Sequence, residues 1–247
     1  MIVSQEIAAS LDPVRPLTSS YLRSVGAAEA LFSVDPSGKV VPSLAKEARQ
    51  LNETTWEIEL RPEARFWSGK AVDADAVIAS LKRSLAEDAQ AQPFLKGLDF
   101  AKTGPHTIRV KTDDKNVPVP LNLSYYQTVI HNAELAHDAV ETMDLTGMYK
   151  TVEFVPKQKM VLEINNHYWG EKPKIPRIVH EEIADLLEQF RRSRPAISVE
   201  PEAFQAPYTF DDQTLFASHR APLRVIRRLL RPLLKLFFNP NTLNQIL

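Results

Sequence analysis

All seven glycines of this 247-residue chain lie between Gly26 and Gly170. Glycine enters left-handed backbone conformations without penalty, so it marks tight turns and close backbone approaches. Nothing beyond Gly170 can use one, which excludes a glycine-rich, phosphate-cradling loop from the C-terminal third. Charge changes over the same border. From Arg191 onward there are nine Lys/Arg against four Asp/Glu, and before it 21 against 27. Two unlike pieces therefore meet near residue 185.

The whole chain carries a net charge of −1, which gives no footprint for nucleic acid. With no cysteine, disulfides, thiol catalysis and thiolate metal sites are excluded. No apolar run reaches the roughly 18 residues of a spanning helix. The opening MIVSQEIAASLDP lacks a basic segment followed by a long apolar one, so no signal peptide is expected within it.

Along the first piece, turns and strands alternate. Asp35-Pro36-Ser37-Gly38 is a turn with proline at its second position. Leu44 to Leu51 reads as helix. In TTWEIELR, Trp56, Ile58 and Leu60 alternate with Thr55, Glu57 and Glu59, a strand with one wet face. Phe66 and Trp67 follow, with Gly69 closing a turn. Asp73 is the expected N-cap of a helix whose apolar stripe is Val77, Ile78, Leu81 and Leu85. Lys82 and Arg83 are expected to face solvent. Ile108 and Val110 share one face of another strand, and Pro118 and Pro120 suit an edge or loop.

The stretch from Thr146 to Ile178, TGMYKTVEFVPKQKMVLEINNHYWGEKPKIPRI, reads as a hairpin. Val152 and Phe154 alternate in its first strand, and Met160, Leu162 and Ile164 in its second. PKQK is the polar loop between them. Tyr168 and Trp169 are expected to fold back over the hairpin's apolar end, with Trp169 a packing residue rather than a ligand contact.

Three segments, in order, resemble the family 5 extracellular solute-binding proteins, the peptide- and nickel-binding components of ABC importers. They are LDPVRPLTSSYLRSVGAAEALFSVDPSGKVVPSLAKEA, TTWEIELRPEARFWSGKAVDADAVIASLKRSL and the hairpin ending in YWG. Family members read there as a Leu-Asp-Pro opening, a P-x-L-A run, a W-x-F-x-L-R strand leading to F-x-x-G and a helix, and a G-x-Y hairpin closing on YWG. The hairpin departs from the usual Gly-Thr-Gly-Pro-Tyr, reading Leu145-Thr146-Gly147-Met148-Tyr149. The family pattern fades after about Ile183, and family members are roughly twice as long.

The resemblance implies a mixed α/β (α+β) fold of the type II periplasmic-binding-protein kind. Residues 1–183 would be an incomplete first lobe. Residues 184–210, with Pro195, Pro201 and Pro207, would be a linker, and 211–247 a helical tail. It implies non-catalytic capture of a peptide, nickel or metal-chelate solute by lobe closure, in partnership with ABC importer membrane subunits, in the periplasm or at the cell surface. No cofactor is implied. The ligand-facing residues implied are Ser19, Ser20, Tyr21, Phe94, Tyr125 and Tyr126. Arg23 is suited to a ligand carboxylate. Core packing is the alternative assignment for the aromatic residues, and solvation of a surface for Arg23.

No G-x-S-x-G, G-x-x-x-x-G-K-[ST], H-E-x-x-H or G-x-G-x-x-G motif occurs, so no catalytic signal is present. His131 and His137 stand six apart, which is not a helical metal-ligand spacing. In the tail, Arg224, Arg227, Arg228, Arg231 and Lys235 form a basic stripe opposite Leu223, Ile226, Leu229, Leu230, Leu233 and Phe237, interrupted by Pro232. Such a helix suits an anionic membrane surface or docking on protein. The tail also faintly resembles the lead-in of bacterial SAM-dependent methyltransferase domains, without the glycine loop those enzymes need. The combination reads as a truncated or fused chain.

Overall fold

The computed structural model describes residues 2–3 and 7–181. The chain divides into two units, Met1–Arg194 and Pro195–Leu247, and all described residues belong to the first. The expected linker 184–210 and basic tail 211–247 lie outside the described residues. In order, the elements are β1 (Ile2–Val3), α1 (Thr18–Ser24), β2 (Phe32–Val34), β3 (Val40–Pro42), β4 (Ala45–Asn52), β5 (Thr55–Leu60), α2 (Ala74–Glu87), α3 (Gln92–Leu95), β6 (Leu98–Gly104), β7 (Thr107–Thr112), α4 (Val119–Asn122), β8 (Tyr149–Val155), β9 (Lys159–Ile164) and β10 (Arg177–Glu181).

These strands build an antiparallel sheet in the order β4-β5-β7-β6, a two-stranded ribbon β2-β3, and a mixed sheet β1-β10-β9-β8. In the mixed sheet β1 runs parallel to β10 and the other pairs are antiparallel. Two hydrophobic cores result. One packs Leu44, Ile58, Leu60, Phe66, Val77 and Leu81 between the antiparallel sheet and α2. The other packs Leu22, Val25, Trp67, Leu145, Met160 and Leu162 between α1 and the mixed sheet. Each fully buried side chain of this size contributes roughly 1.5–3 kcal/mol. Phe66 and Trp67 are chain neighbours, yet each enters a different core, so this dipeptide stitches the two together.

The alternation read in TTWEIELR is the register of β5. Ile58 and Leu60 are buried, and the acidic residues lie on the other face. There Lys46 meets Glu59 at 2.8 Å and Arg49 meets Glu57 at 2.7 Å. Those two bases sit on β4, the stretch expected to be helical. Its residues favour helix intrinsically, but pairing with β5 overrides that weak preference. The turn also favours a hairpin, since Asn52 Oδ1 accepts from the Thr54 backbone N–H at 3.0 Å.

Asp73 caps α2 as expected, its Oδ1 accepting from the Ala76 N–H at 2.9 Å. Val77 and Leu81 are buried along the expected stripe, with Ile78 and Leu85 half-buried beside them. Lys82 is exposed, but Arg83 is not the solvating residue expected. Its Nη2 donates to both carboxylate oxygens of Asp12, at 3.0 and 2.9 Å, because that carboxylate is itself buried and needs a partner.

The hairpin forms as β8 and β9, with one correction. A bulge between Thr151 and Glu153 breaks the simple alternation. Tyr149 and Thr151 face the core, and Val152 is exposed. In β9, Met160, Val161 and Leu162 are buried in succession, as befits an interior strand covered on both faces. Trp169 does not cover the hairpin. It packs against the core of the antiparallel sheet, drawn there by polar contacts described below.

At Gly147 the chain passes against its own earlier backbone. Its N–H donates to Ala27 O at 3.0 Å, and the Tyr149 N–H donates to Gly26 O at 3.0 Å. A Cβ at Gly147 would stand 2.3 Å from Gly26 O and from the Ala27 carbonyl carbon. Gly147→Ala should therefore cost roughly 3 kcal/mol in urea unfolding of the full chain. Gly104→Ala is the control, because its Cβ would meet only the Thr107 side chain, at 3.3 Å. Equal, small effects at both positions would contradict the close approach.

Candidate functional site

The residues expected at a ligand surface fall into a partly exposed group and a buried one. Helix α1 carries four of them, and its pitch separates them. Ser19 and Tyr21 are buried, whereas Ser20 and Arg23 are half-buried. Tyr21 lies edge-on to His180, with centroids 6.2 Å apart. Its hydroxyl has no hydrogen-bond partner, and burial pushes its pKa up to about 12.

Arg23, Phe94 and Tyr125 gather around Ser124. Arg23 Nη1 donates to the Ser124 carbonyl, and Nη2 reaches Ser33 Oγ at 3.4 Å. The next residue, Tyr125, is 39% exposed and stacks on Phe94, with centroids 4.1 Å apart and planes 26° from parallel. Phe94 is fixed from behind by its own carbonyl, which accepts from Asn122 Nδ2 at 3.2 Å. Tyr126 is half-buried and opens the short helical turn Tyr126–Thr128. The result is a rim made of a guanidinium and a two-ring stack. Burial lowers the Arg23 pKa and Glu29 opposes that shift. The rim offers a flat apolar face beside a cation with unused donors, which suits a partner bearing a carboxylate and a planar or apolar group.

Beneath the rim lies a residue that the sequence reading missed. Glu29 is half-buried, and its carboxylate accepts from Trp169 Nε1 at 3.2 Å, Ser43 Oγ at 3.3 Å and Tyr168 Oη at 3.5 Å. Arg61 lies over the Trp169 ring, 4.2 Å from its centroid. Burial raises the Glu29 pKa to about 7, although these hydrogen bonds and Arg61 pull it down. Burial and Glu29 likewise raise that of Tyr168. The available signal was a lone carboxylate within the apolar run GAAEALF.

His131 and His137, set aside on spacing, come together. Their buried rings are edge-to-face, 5.4 Å between centroids. Among the described residues no group of three or more His, Asp or Glu could hold a metal ion. Among them also, no helix is long and apolar enough to cross a membrane. A depression of about 800 Å³ lies elsewhere, lined by Leu11, Asp12, Val140, Val152 and Phe154 among others, and includes none of the seven expected residues.

Comparison with known proteins gives this arrangement a context. Residues 39–215 match bacterial extracellular solute-binding proteins, family 5 Middle. The chain is 27% identical over 165 residues to the nickel-binding protein NikA of Staphylococcus aureus, covering 67% of this chain and 33% of that protein. It is 24% identical over 188 residues to the periplasmic murein peptide-binding protein MppA of Escherichia coli, covering 65% of this chain and 35% of that one. It thus spans about a third of the length of these curated relatives. Among solved structures, a nickel ABC transporter protein from Bacillus halodurans superposes with a TM-score of 0.66 at 26% identity, covering 79% of this chain and 41% of that one. The peptide-bound OppA of Listeria monocytogenes shares the fold, with a TM-score of 0.66 at 14% identity, over 78% of this chain and 45% of that one.

The Glu29 cluster makes a pH prediction. Its folded pKa is raised, so its stabilising contribution is complete below the ordinary value of 4.5 and is lost as pH rises to about 7. His131 acts in the opposite sense. Its pKa is lowered to about 3, so its contribution is present above 6.5 and lost as pH falls. Glu29→Gln removes the first effect and leaves the second. The variant should gain on the native chain by at most about 3 kcal/mol between pH 4.5 and 7.5, read as the difference between two urea-unfolding series. A difference that does not change with pH would refute the assignment.

Proposed function

The chain belongs to the bacterial extracellular solute-binding proteins, family 5, and from that premise we propose that residues 1–183 form one wall of a solute-capturing clamshell serving an ABC importer. The observation that carries this reading is the rim at Ser124, where Arg23 and the Phe94–Tyr125 stack present a cation beside an aromatic face. In this reading Tyr125 lies against the solute, Phe94 holds it flat, and Ser20 and Tyr126 border it. Ser19 and Tyr21 form the floor. Arg23 pairs with a carboxylate of the solute, a group that small peptides and amino-acid chelates of nickel share. The protein captures and does not transform. It works outside the cytoplasm, handing its solute to membrane subunits.

Closure of two lobes is the physical basis of tight capture in such proteins. A good pocket encloses about 70–90% of its ligand. One wall leaves much of that surface wet, so the 247-residue chain should bind with a Kd on the order of 1 mM, equivalent to about −4 kcal/mol. At 1 mM ligand such binding stabilises by only about 0.4 kcal/mol, so affinity must be read directly.

Calorimetric titration should use dipeptides, tripeptides, nickel ion and the nickel–histidine chelate. We expect heat from one peptide or chelate class and none from nickel ion alone. Tyr125→Ala should weaken that binding roughly tenfold, the loss of about 1.4 kcal/mol of stacking. Arg23→Lys should weaken only ligands with a free carboxylate. Binding unchanged by Tyr125→Ala would remove the rim from the site, and a silent panel would remove solute capture by this wall alone.

A further inference from the structure

Arg83, His131 and His137 meet where α2 abuts the opening loop. Each carries one buried nitrogen with no hydrogen-bond partner: Arg83 Nη1, His131 Nε2 and His137 Nδ1. Both histidines are completely buried. Leaving such a group unpaired is destabilising, and three in one knot are not expected of a stable fold.

The hydrogen bonds that are made define what the missing partner must be. His137 Nε2 lies 2.8 Å from Asn132 O, a pure acceptor, so Nε2 bears the proton and Nδ1 is left as an acceptor. His131 Nδ1 lies 3.1 Å from Ser80 Oγ and 3.4 Å from Val129 O. Ser80 Oγ also accepts from the His131 backbone N–H at 3.0 Å and points its own hydroxyl toward Val129 O at 3.5 Å. With Nδ1 donating to Val129 O, a pure acceptor, Nε2 is left as the second acceptor. Arg83 Nη2 is occupied by Asp12, and Nε reaches Glu87 Oε1 at 3.3 Å, so Nη1 is the free donor.

One donor and two acceptors are the complement of a water molecule. We propose that Arg83, His131 and His137 enclose an internal water-binding site, in which one water accepts from Arg83 Nη1 and donates to His131 Nε2 and His137 Nδ1. Three hydrogen bonds is the usual number for a buried water, and such waters occur about once per 27 residues. The backbone supports the reading. His137 holds φ +56°, a left-handed conformation that is costly outside glycine and persists where its surroundings fix it.

The site is also acid-sensitive. The groups facing it are Asp12 from the opening loop, Arg83 and Glu87 from α2, the other imidazole, and Asp144 before the hairpin. Protonating either imidazole deletes an acceptor and sets a second cation beside Arg83. Burial and Arg83 accordingly hold both histidines below their ordinary value.

Two measurements on the unaltered chain test the site. A crystal structure fine enough to show solvent should have a density peak within about 3.2 Å of all three nitrogens. Nitrogen NMR should show His137 protonated at Nε2 and His131 at Nδ1. Ordered side chains with no peak between them, a reversed tautomer at His137, or a direct Arg83–imidazole hydrogen bond would each overturn the proposal. Oxygen-17 relaxation dispersion adds a count, since the Asp12→Asn, Arg83→Met double variant should lose one long-lived water. The double change avoids stranding the Asp12 carboxylate. If the double variant does not fold, the crystal and NMR readouts decide alone.

Discussion

Four separate passes of the chain converge on Glu29. Its backbone N–H donates to Thr146 Oγ1 at 3.3 Å, and its carbonyl accepts from the Ile130 N–H at 2.8 Å. Its carboxylate gathers Ser43, Tyr168 and Trp169. Those partners lie far apart in sequence, so none is held by local structure. A carboxylate taken from water on an apolar segment must be satisfied by whatever packs against it. Here that requirement fixes the path of the ribbon, the approach to the hairpin, and the aromatic knot after it. Trp169 leaves its own hairpin and joins the other core because Glu29 accepts from its indole and Arg61 covers its ring.

The elements legible in the sequence are those whose cause is local. β5, β7, the cap of α2 and the turn at Gly38 follow from alternation, a side-chain acceptor at the N-terminus and a glycine at positive φ. β4 was illegible because its helix-favouring residues become strand only through β5, a neighbour whose pairing no propensity reports. Arg83 looked like a solvent-facing base because its partner, Asp12, stands 71 positions away. His131 and His137 looked unrelated because six residues is the wrong interval for a helix, whereas the segment between them is a loop that turns one ring onto the other. The resemblance to a known family carried the overall fold, but polar pairs across long sequence separations had no signature that a single sequence displays.

The hairpin opening shows two neighbouring positions constrained in different ways. Gly147 stands where any side chain would strike the Gly26 and Ala27 backbone. The next residue, Met148, is held differently. Its carbonyl accepts from the Asn165 N–H at 2.9 Å, and its flexible side chain lies along Gly26, which is a demand that methionine meets easily. The backbone approach constrains the first position and mere occupancy the second.

The rim inherits its geometry from both cores. Arg23 belongs to α1, whose Tyr21, Leu22 and Val25 pack into the core of the mixed sheet. Phe94 packs against the core of the antiparallel sheet. The two meet at Ser124 and Tyr125 only if the cores keep a fixed relation, and apolar packing alone is a poor way to fix it, because hydrophobic contact is non-directional. Directional contacts supply what packing does not. Glu29 ties the ribbon and the aromatic knot to the approach of the hairpin, and the Asp12–Arg83 pair ties the opening loop to α2. A rim assembled from two cores is therefore only as well ordered as the polar ties between them.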